Sequence, residues 1–89
     1  MDSDSQARRM IEYLKSKVLQ DSSLELELDT PLVTSGLVDS FALIDVLLEL
    51  EKVTERRIPA SRVNPKDLNT VREMLVTADR LGTAKKKTS

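Results

Sequence analysis

The sequence predicts an all-α fold, a bundle of three main helices and one short helix with a long first loop. Apolar residues recur at helical spacing in three stretches, which are residues 5–19, 40–54 and 70–81. Residues 24–28 alternate between leucine and glutamate like a strand, but the chain offers no second strand to pair with them. A lone strand is not stable in water, so we expect helices joined by loops.

The first helix is predicted from Ser5 to Leu19, with Ser3 or Asp4 as its N-cap. Its apolar stripe consists of Ala7, Met10, Ile11, Leu14 and Val18. Residues 20–39 then form a long connection, and loops of this length are usually either functional or disordered. We expect this loop to be pinned by Leu24, Leu26, Leu28 and Leu32.

The second helix is predicted from Ser40 to Thr54, and a helical projection divides it into faces. The core side is predicted to contain Leu43, Leu47 and Leu50, with Val46 near its edge. The opposite face carries Asp45, Glu49 and Lys52. Beside this acidic stripe lie Phe41 and Leu48, with Ile44, Glu51 and Glu55 on the flank beyond. The packing of a helical bundle does not require apolar side chains among the carboxylates of an exposed face.

The rest of the chain is predicted to form a short helical turn and a last helix. Asn64 caps the turn and Pro65 begins it. The last helix runs from Thr70 to Leu81, is capped by Asn69 or Thr70 and ends at Gly82. Its buried stripe is Val71, Met74, Leu75, Ala78 and Leu81. We assign residues 1–82 to a single domain and residues 83–89 to a disordered basic tail.

Composition excludes several classes of function. The chain has no cysteine and no histidine, so Ser-His and Cys-His nucleophile pairs and the usual zinc sites are absent. We therefore predict a protein that is not an enzyme, with no catalytic residue and no metal site. Tyr13 and Phe41 are the only aromatic residues, which argues against nucleic-acid binding by base stacking. No apolar run is long enough for a membrane span, and we expect a cytoplasmic monomer.

Charge is segregated although the net charge is only −1. Residues 37–55 carry five carboxylates against one lysine, and residues 7–19 carry four basic residues against one glutamate. The acidic second helix indicates that one face meets a basic partner.

The segment Gly36-Leu37-Val38-Asp39-Ser40-Phe41 sets a serine hydroxyl where the loop enters the second helix. The helix N-terminus favours an anion, so a phosphate ester on this serine would be well accommodated. This segment, with the acidic, leucine-rich helix after it, resembles the attachment site of acyl carrier proteins, most closely discrete carriers such as D-alanyl carrier proteins. The resemblance implies that a phosphopantetheinyl transferase, using coenzyme A and Mg²⁺, places 4′-phosphopantetheine on Ser40. It implies for Asp39 a role in this modification.

The resemblance also implies partners and a docking surface. The partners are acyl- or aminoacyl-activating and transferring enzymes, with the cargo held as a thioester. The residues implied in docking are Phe41 and Leu48 as anchors and Asp39, Asp45, Glu49 and Glu51 for electrostatic steering. A shallow space between the second and third helices, which could shelter part of an acyl chain, is expected to be lined by Val46, Leu50, Ile58 and Val63.

The resemblance covers residues 5–82 and is most specific in residues 36–51. The sequence departs from the family pattern at Glu55-Arg56-Arg57, because carriers commonly have phenylalanine-glycine or a similar apolar pair before the Ile-Pro pair. Three alternatives stay open from the residues alone. Ser40 could be only a helix cap in a small interaction module without a prosthetic group, it could receive plain phosphate in a regulatory protein, and Asp39 could itself be the cap.

Overall fold

The computed structural model describes residues 3–84, and most of the elements in this range are helical. In chain order they are α1 (Ser3–Tyr13), a π-helical turn (Leu14–Val18), α2 (Ser40–Thr54), β1 (Arg56–Arg57), a 3-10 turn (Ala60–Arg62), a second 3-10 turn (Pro65–Leu68), α3 (Val71–Leu81) and β2 (Thr83–Ala84). The three α-helices pack on one another. The all-α class is therefore confirmed at the level of the main elements.

The first helix begins at Ser3, earlier than predicted, and it ends in a wider turn. The amide of Leu19 donates to the carbonyl oxygen of Leu14 at 2.8 Å, five residues back, and Gln20 then takes a positive φ of 52°. Within the predicted apolar stripe, Ala7, Met10 and Leu14 are buried and Ile11 and Val18 are half-buried.

The second helix occupies the predicted range, Ser40–Thr54. It ends because Glu55 adopts the left-handed conformation at a φ of 55°. Val46, which the projection places near the edge of the core side, is fully buried. The projection alone does not show that α2 is covered by both α1 and α3.

The long loop contains no strand over residues 24–28, as expected. Leu32 is buried, and Leu24, Leu26 and Leu28 are half-buried. The start of α3 holds this loop in place. Arg72 donates from its backbone amide to the carbonyl oxygen of Leu28 at 3.0 Å and from its guanidinium to the carboxylate of Asp29 at 2.7 and 3.2 Å.

The segment between α2 and α3 contains the predicted turn from Pro65, preceded by a 3-10 turn at Ala60–Arg62 that we did not predict. Asn64 donates from its amide to the Asp67 carboxylate at 2.9 Å, which fixes the start of the second turn. Helix α3 is capped by Thr70, whose hydroxyl accepts from the amide of Glu73 at 3.0 Å. Its stripe contains one buried polar residue that we missed, Thr77, which donates to the carbonyl oxygen of Asp67.

The chain continues with regular structure beyond the predicted domain end. Thr83 and Ala84, which we assigned to the disordered tail, form β2 and pair in antiparallel fashion with Arg57 and Arg56. Gly82 ends α3 in an extended conformation, and a side chain there would overlap the carbonyl oxygen of Ala78 and the stem of Arg56. The other tail residues, 85–89, lie outside the described part of the chain.

The three α-helices, the π-helical turn, the long loop and the segment between α2 and α3 contribute to one apolar core. Its buried members are Ala7, Met10, Leu14, Leu32, Val38, Leu43, Val46, Leu47, Leu50, Val53, Ile58, Leu68, Val71, Met74 and Ala78.

Candidate functional site

The N-terminus of α2 is built around Asp39. This residue has an extended backbone (φ −94°, ψ 175°), and its carboxylate accepts a hydrogen bond from the amide of Ala42 at 2.9 Å. Asp39 is therefore the N-cap, and Ser40 is the first residue of the helix. The alternative in which Ser40 serves as the cap is wrong, because the residue before it already fills that role.

The side chain of Ser40 has no structural role among the described residues. The residue is exposed, and its hydroxyl forms no hydrogen bond with any residue in the range 3–84. A hydroxyl in this position is open to solvent and next to the positive end of the helix dipole. It can act as the acceptor of a covalently attached anionic group.

The chain approaching Ser40 is held by buried and hydrogen-bonded groups. Val38 is buried, and its amide donates to the carbonyl oxygen of Leu32 at 2.9 Å. Gly36 has a φ of 82°, while no atom lies within 4 Å of where a Cβ would stand. The glycine is thus required by its backbone conformation and not by crowding.

Asn69 links this approach to α3. Its side-chain oxygen accepts from the amides of Val33 and Thr34 at 2.9 and 3.0 Å, and its carbonyl oxygen accepts from the amide of Leu32 at 2.7 Å. We expected a possible helix cap at Asn69, but the cap is Thr70. The loop that leads to Ser40 is therefore held by Asn69, which lies between the Pro65–Leu68 turn and α3.

Four large apolar side chains are exposed along α2 and just before it, and we call them the exposed apolar surface. Phe41 is 86% exposed, Ile44 64%, Leu48 53% and Leu37 42%. The exposure predicted for Phe41 and Leu48 agrees with the structure. Ile44, which we placed on the flank of this face, is more exposed than Leu48. Leu37 was missed because it precedes the helix and is therefore not part of a helical projection.

The acidic residues of α2 differ in their surroundings. Asp45 is exposed, and Glu49 is half-buried beside a groove of about 630 Å³ between α2 and α1. Glu51 is also half-buried, and its carboxylate accepts from the amide of Ile58 at 2.7 Å. The carboxylate of Glu51 is thus used to hold the segment after the helix.

Tyr13 of α1 forms part of the same groove. Burial raises the pKa of its phenol, and the negative charges of Asp45 and Glu49 raise it further, because all three effects disfavour the phenolate. The groove thus has a negative edge from α2 and a positive edge from α1 and the π-helical turn, which is formed by Arg8, Arg9 and Lys17.

A second, smaller space of about 150 Å³ lies between α2 and the turns that follow it. It is lined mainly by apolar side chains, among them Leu43, Ile44, Leu47 and Val63. Of the four residues predicted to line such a space, Val63 lines this one, and Val46, Leu50 and Ile58 do not.

Two further observations limit the chemistry of the described residues. Within residues 3–84 there is no group of three or more His, Cys, Asp or Glu side chains arranged to bind a metal ion. The helices in this range are all too short or too polar to cross a membrane.

Comparison with known proteins gives no assignment. No family model, no curated protein and no solved structure matches this chain.

Proposed function

We propose that this chain is an acyl or aminoacyl carrier protein that bears a 4′-phosphopantetheine arm on Ser40. The observation that carries this proposal is the state of the Ser40 side chain. It is exposed at the first residue of α2 and has no hydrogen bond within the described residues, while Asp39 performs the capping. A serine that neither packs nor caps is available for modification.

The surroundings of Ser40 suit the attached group. In the modification, the hydroxyl oxygen of Ser40 would bond to the phosphorus atom that carries pantetheine and give its proton to a base of the transferase. The P–O–P bond of coenzyme A would break, and adenosine 3′,5′-bisphosphate would leave. A phosphodiester on Ser40 would lie at the positive end of the α2 dipole, which would stabilise its negative charge. When bound, the group supplies a terminal thiol for a thioester, which the chain itself cannot supply because it has no cysteine.

The exposed apolar surface supports docking of partner enzymes beside Ser40. Phe41, Ile44 and Leu48 present apolar area for the centre of an interface, and Asp45 and Glu49 add negative charge at its edge. Partners of this surface are basic, and their association is slowed by salt. In this proposal the transferase contacts Asp39, and the carrier is a cytoplasmic monomer.

Intact mass spectrometry tests the proposal. The wild-type chain, Ser40→Ala and Ser61→Ala are each incubated with coenzyme A, Mg²⁺ and a phosphopantetheinyl transferase of broad specificity. Ser61 is an exposed serine in the 3-10 turn and serves as the matched control. We expect the mass of one phosphopantetheine to be gained by the wild type and Ser61→Ala and not by Ser40→Ala.

Other outcomes decide against the proposal. If several transferases add nothing to the wild type, the chain is better described as an interaction module that uses the exposed apolar surface alone. If the chain purified from cells carries plain phosphate on Ser40, it is a regulatory phosphoprotein. A gain of mass by Ser40→Ala would place the attachment elsewhere.

A further inference from the structure

The groove between α1 and α2 offers room for a ligand and a polar group without a partner. Its volume of about 630 Å³ lies within the range of small-molecule sites. The phenol of Tyr13 lines this groove and is half-buried, and its hydroxyl forms no hydrogen bond with any residue in the range 3–84. The members of the exposed apolar surface do not line the groove, so it is a separate feature of the fold.

The wall that α1 contributes is basic. Arg9, Tyr13 and Lys17 follow one another at intervals of four residues, so they lie in one row about 12 Å long. Arg8 also lines the groove beside this row. The side chains of Arg8 and Lys17 are exposed and form no ion pair with any described residue. These two positive charges are thus available to an anionic group in the groove.

The π-helical turn Leu14–Val18 completes this wall. Single π-helical turns are rare and occur frequently at functional sites. The turn carries Ser16 and Lys17, and both residues line the groove. The hydroxyl of Ser16 donates to the carbonyl oxygen of Glu12 at 2.7 Å, which leaves the hydroxyl oxygen able to accept a hydrogen bond from a ligand.

The wall that α2 contributes is acidic. Glu49 lines the groove, and the negative charges of Asp45 and Glu49 both act on the phenol of Tyr13. Neither carboxylate forms an ion pair or a hydrogen bond with a described residue, although Lys17 lines the same groove as Glu49. Opposite charges therefore face each other across a gap that is too wide for a direct ion pair. Such a gap suits a ligand that has groups for both walls.

The chemistry of the two walls and the ring between them defines the ligand. Phosphate oxygens suit Arg8 and Lys17, and a nucleobase stacks on the ring of Tyr13. Ribose hydroxyls donate to carboxylates such as that of Glu49. One ring is enough for one base, whereas a nucleic-acid strand needs several rings. We propose that the groove between α1 and α2 binds a nucleoside phosphate. The proposal does not depend on modification of Ser40.

The test is a titration of the full chain with ADP, adenosine and pyrophosphate, followed by ¹H–¹⁵N nuclear magnetic resonance. We expect ADP to shift the amide resonances of residues 8–17 and 45–49. The ring resonances of Tyr13 should move upfield, because a stacked base adds its ring current. ADP should bind on the order of tenfold more tightly than adenosine or pyrophosphate, since each of these makes only part of the contacts.

Three variants separate the contributions of the walls. Lys17→Gln should weaken the binding of both ADP and pyrophosphate about tenfold, because it removes a charged donor to phosphate. Tyr13→Leu should weaken ADP about tenfold and leave pyrophosphate within about twofold, because only the base uses the ring. The matched control is Lys66→Gln, an exposed lysine outside the groove, and we expect a change of less than about twofold. Circular dichroism confirms that each variant is folded.

Four results would overturn the proposal. Unchanged resonances at about 10 mM ADP would show that the groove has no such site. Equal affinity for ADP and pyrophosphate would show that only an anion is recognised. Equal losses in Lys17→Gln and Lys66→Gln would reduce the effect to net charge. Displacement of ADP by hexaglutamate at a lower concentration than ADP itself requires would assign the groove to an acidic protein segment instead.

Discussion

Replacement of Asp39 by alanine should destabilise the protein by about 1 kcal/mol, the usual cost of losing an N-cap side chain. The variant removes the hydrogen bond of 2.9 Å that the Asp39 carboxylate accepts from the amide of Ala42. This amide then has no protein acceptor at the helix end. In a domain of this size, 1 kcal/mol lowers the unfolding temperature by roughly 4–8 °C.

Ser40→Ala should change the free energy of unfolding by less than about 0.5 kcal/mol, because the side chain is exposed and forms no hydrogen bond with described residues. Asp39→Asn should lie between the two alanine variants. Asparagine keeps an oxygen acceptor for the amide of Ala42, but the negative charge at the positive end of the dipole, worth about 0.3–1 kcal/mol, is lost.

Urea unfolding followed by far-ultraviolet circular dichroism measures all three variants against the wild type. The ranking is informative only if the slope of the free energy against urea concentration is unchanged. A loss in Ser40→Ala equal to that in Asp39→Ala would refute the assignment of the cap to Asp39, and it would restore Ser40 as a structural residue.

Three further perturbations test other parts of the structure. Glu49→Gln should lower the pKa of Tyr13, which absorbance titration reports cleanly since the chain has one tyrosine and no tryptophan. Asp29→Asn should make the stability of the fold less sensitive to acid. The hydrogen bond from Arg72 lowers the pKa of Asp29, so the ionised Asp29 carboxylate stabilises the fold above about pH 4, and this stabilisation is lost as the pH falls further. Urea midpoints measured at several pH values test this prediction. Val46→Ala should cost about 2–3 kcal/mol in the free energy of urea unfolding, because a fully buried side chain is truncated.

Each of these three predictions can be contradicted by a specific result. An unchanged tyrosine titration would mean that Glu49 is not close to Tyr13. Parallel pH profiles for wild type and Asp29→Asn would mean that the pair with Arg72 adds no stability. A cost below about 1 kcal/mol for Val46→Ala would place that residue at the edge of the core, as the helical projection predicted.

The sequence predicts the bounds of α2 because local signals agree there. A run of strong helix formers without glycine or proline extends from Ser40 to Thr54, so propensity and amphipathic spacing give the same limits. The identity of the cap could not be predicted in the same way. Asp39 and Ser40 are both favoured cap residues, and the choice depends on Val38, whose burial and hydrogen bond to Leu32 fix where the loop ends.

Features made by distant contacts were missed for a common reason. Arg56 and Arg57 pair with residues 83–84, and no alternation of apolar residues marks either segment as a strand. Glu51 looks solvated on a projection, but the chain turns at Glu55 and brings the amide of Ile58 within hydrogen-bonding distance of its carboxylate. Helical spacing carries no information about a segment that follows the helix.

The link between Asn69 and the loop before Ser40 has a consequence for the order of folding. Asn69 and Val33 are 36 residues apart, so their hydrogen bond requires closure of a long stretch of chain at a substantial entropic cost. Helices α1, α2 and α3 are stabilised within themselves by local hydrogen bonds, which form faster than contacts between distant residues. We expect the segment leading to Ser40 to become ordered after the helices, and to open before them when the native state fluctuates.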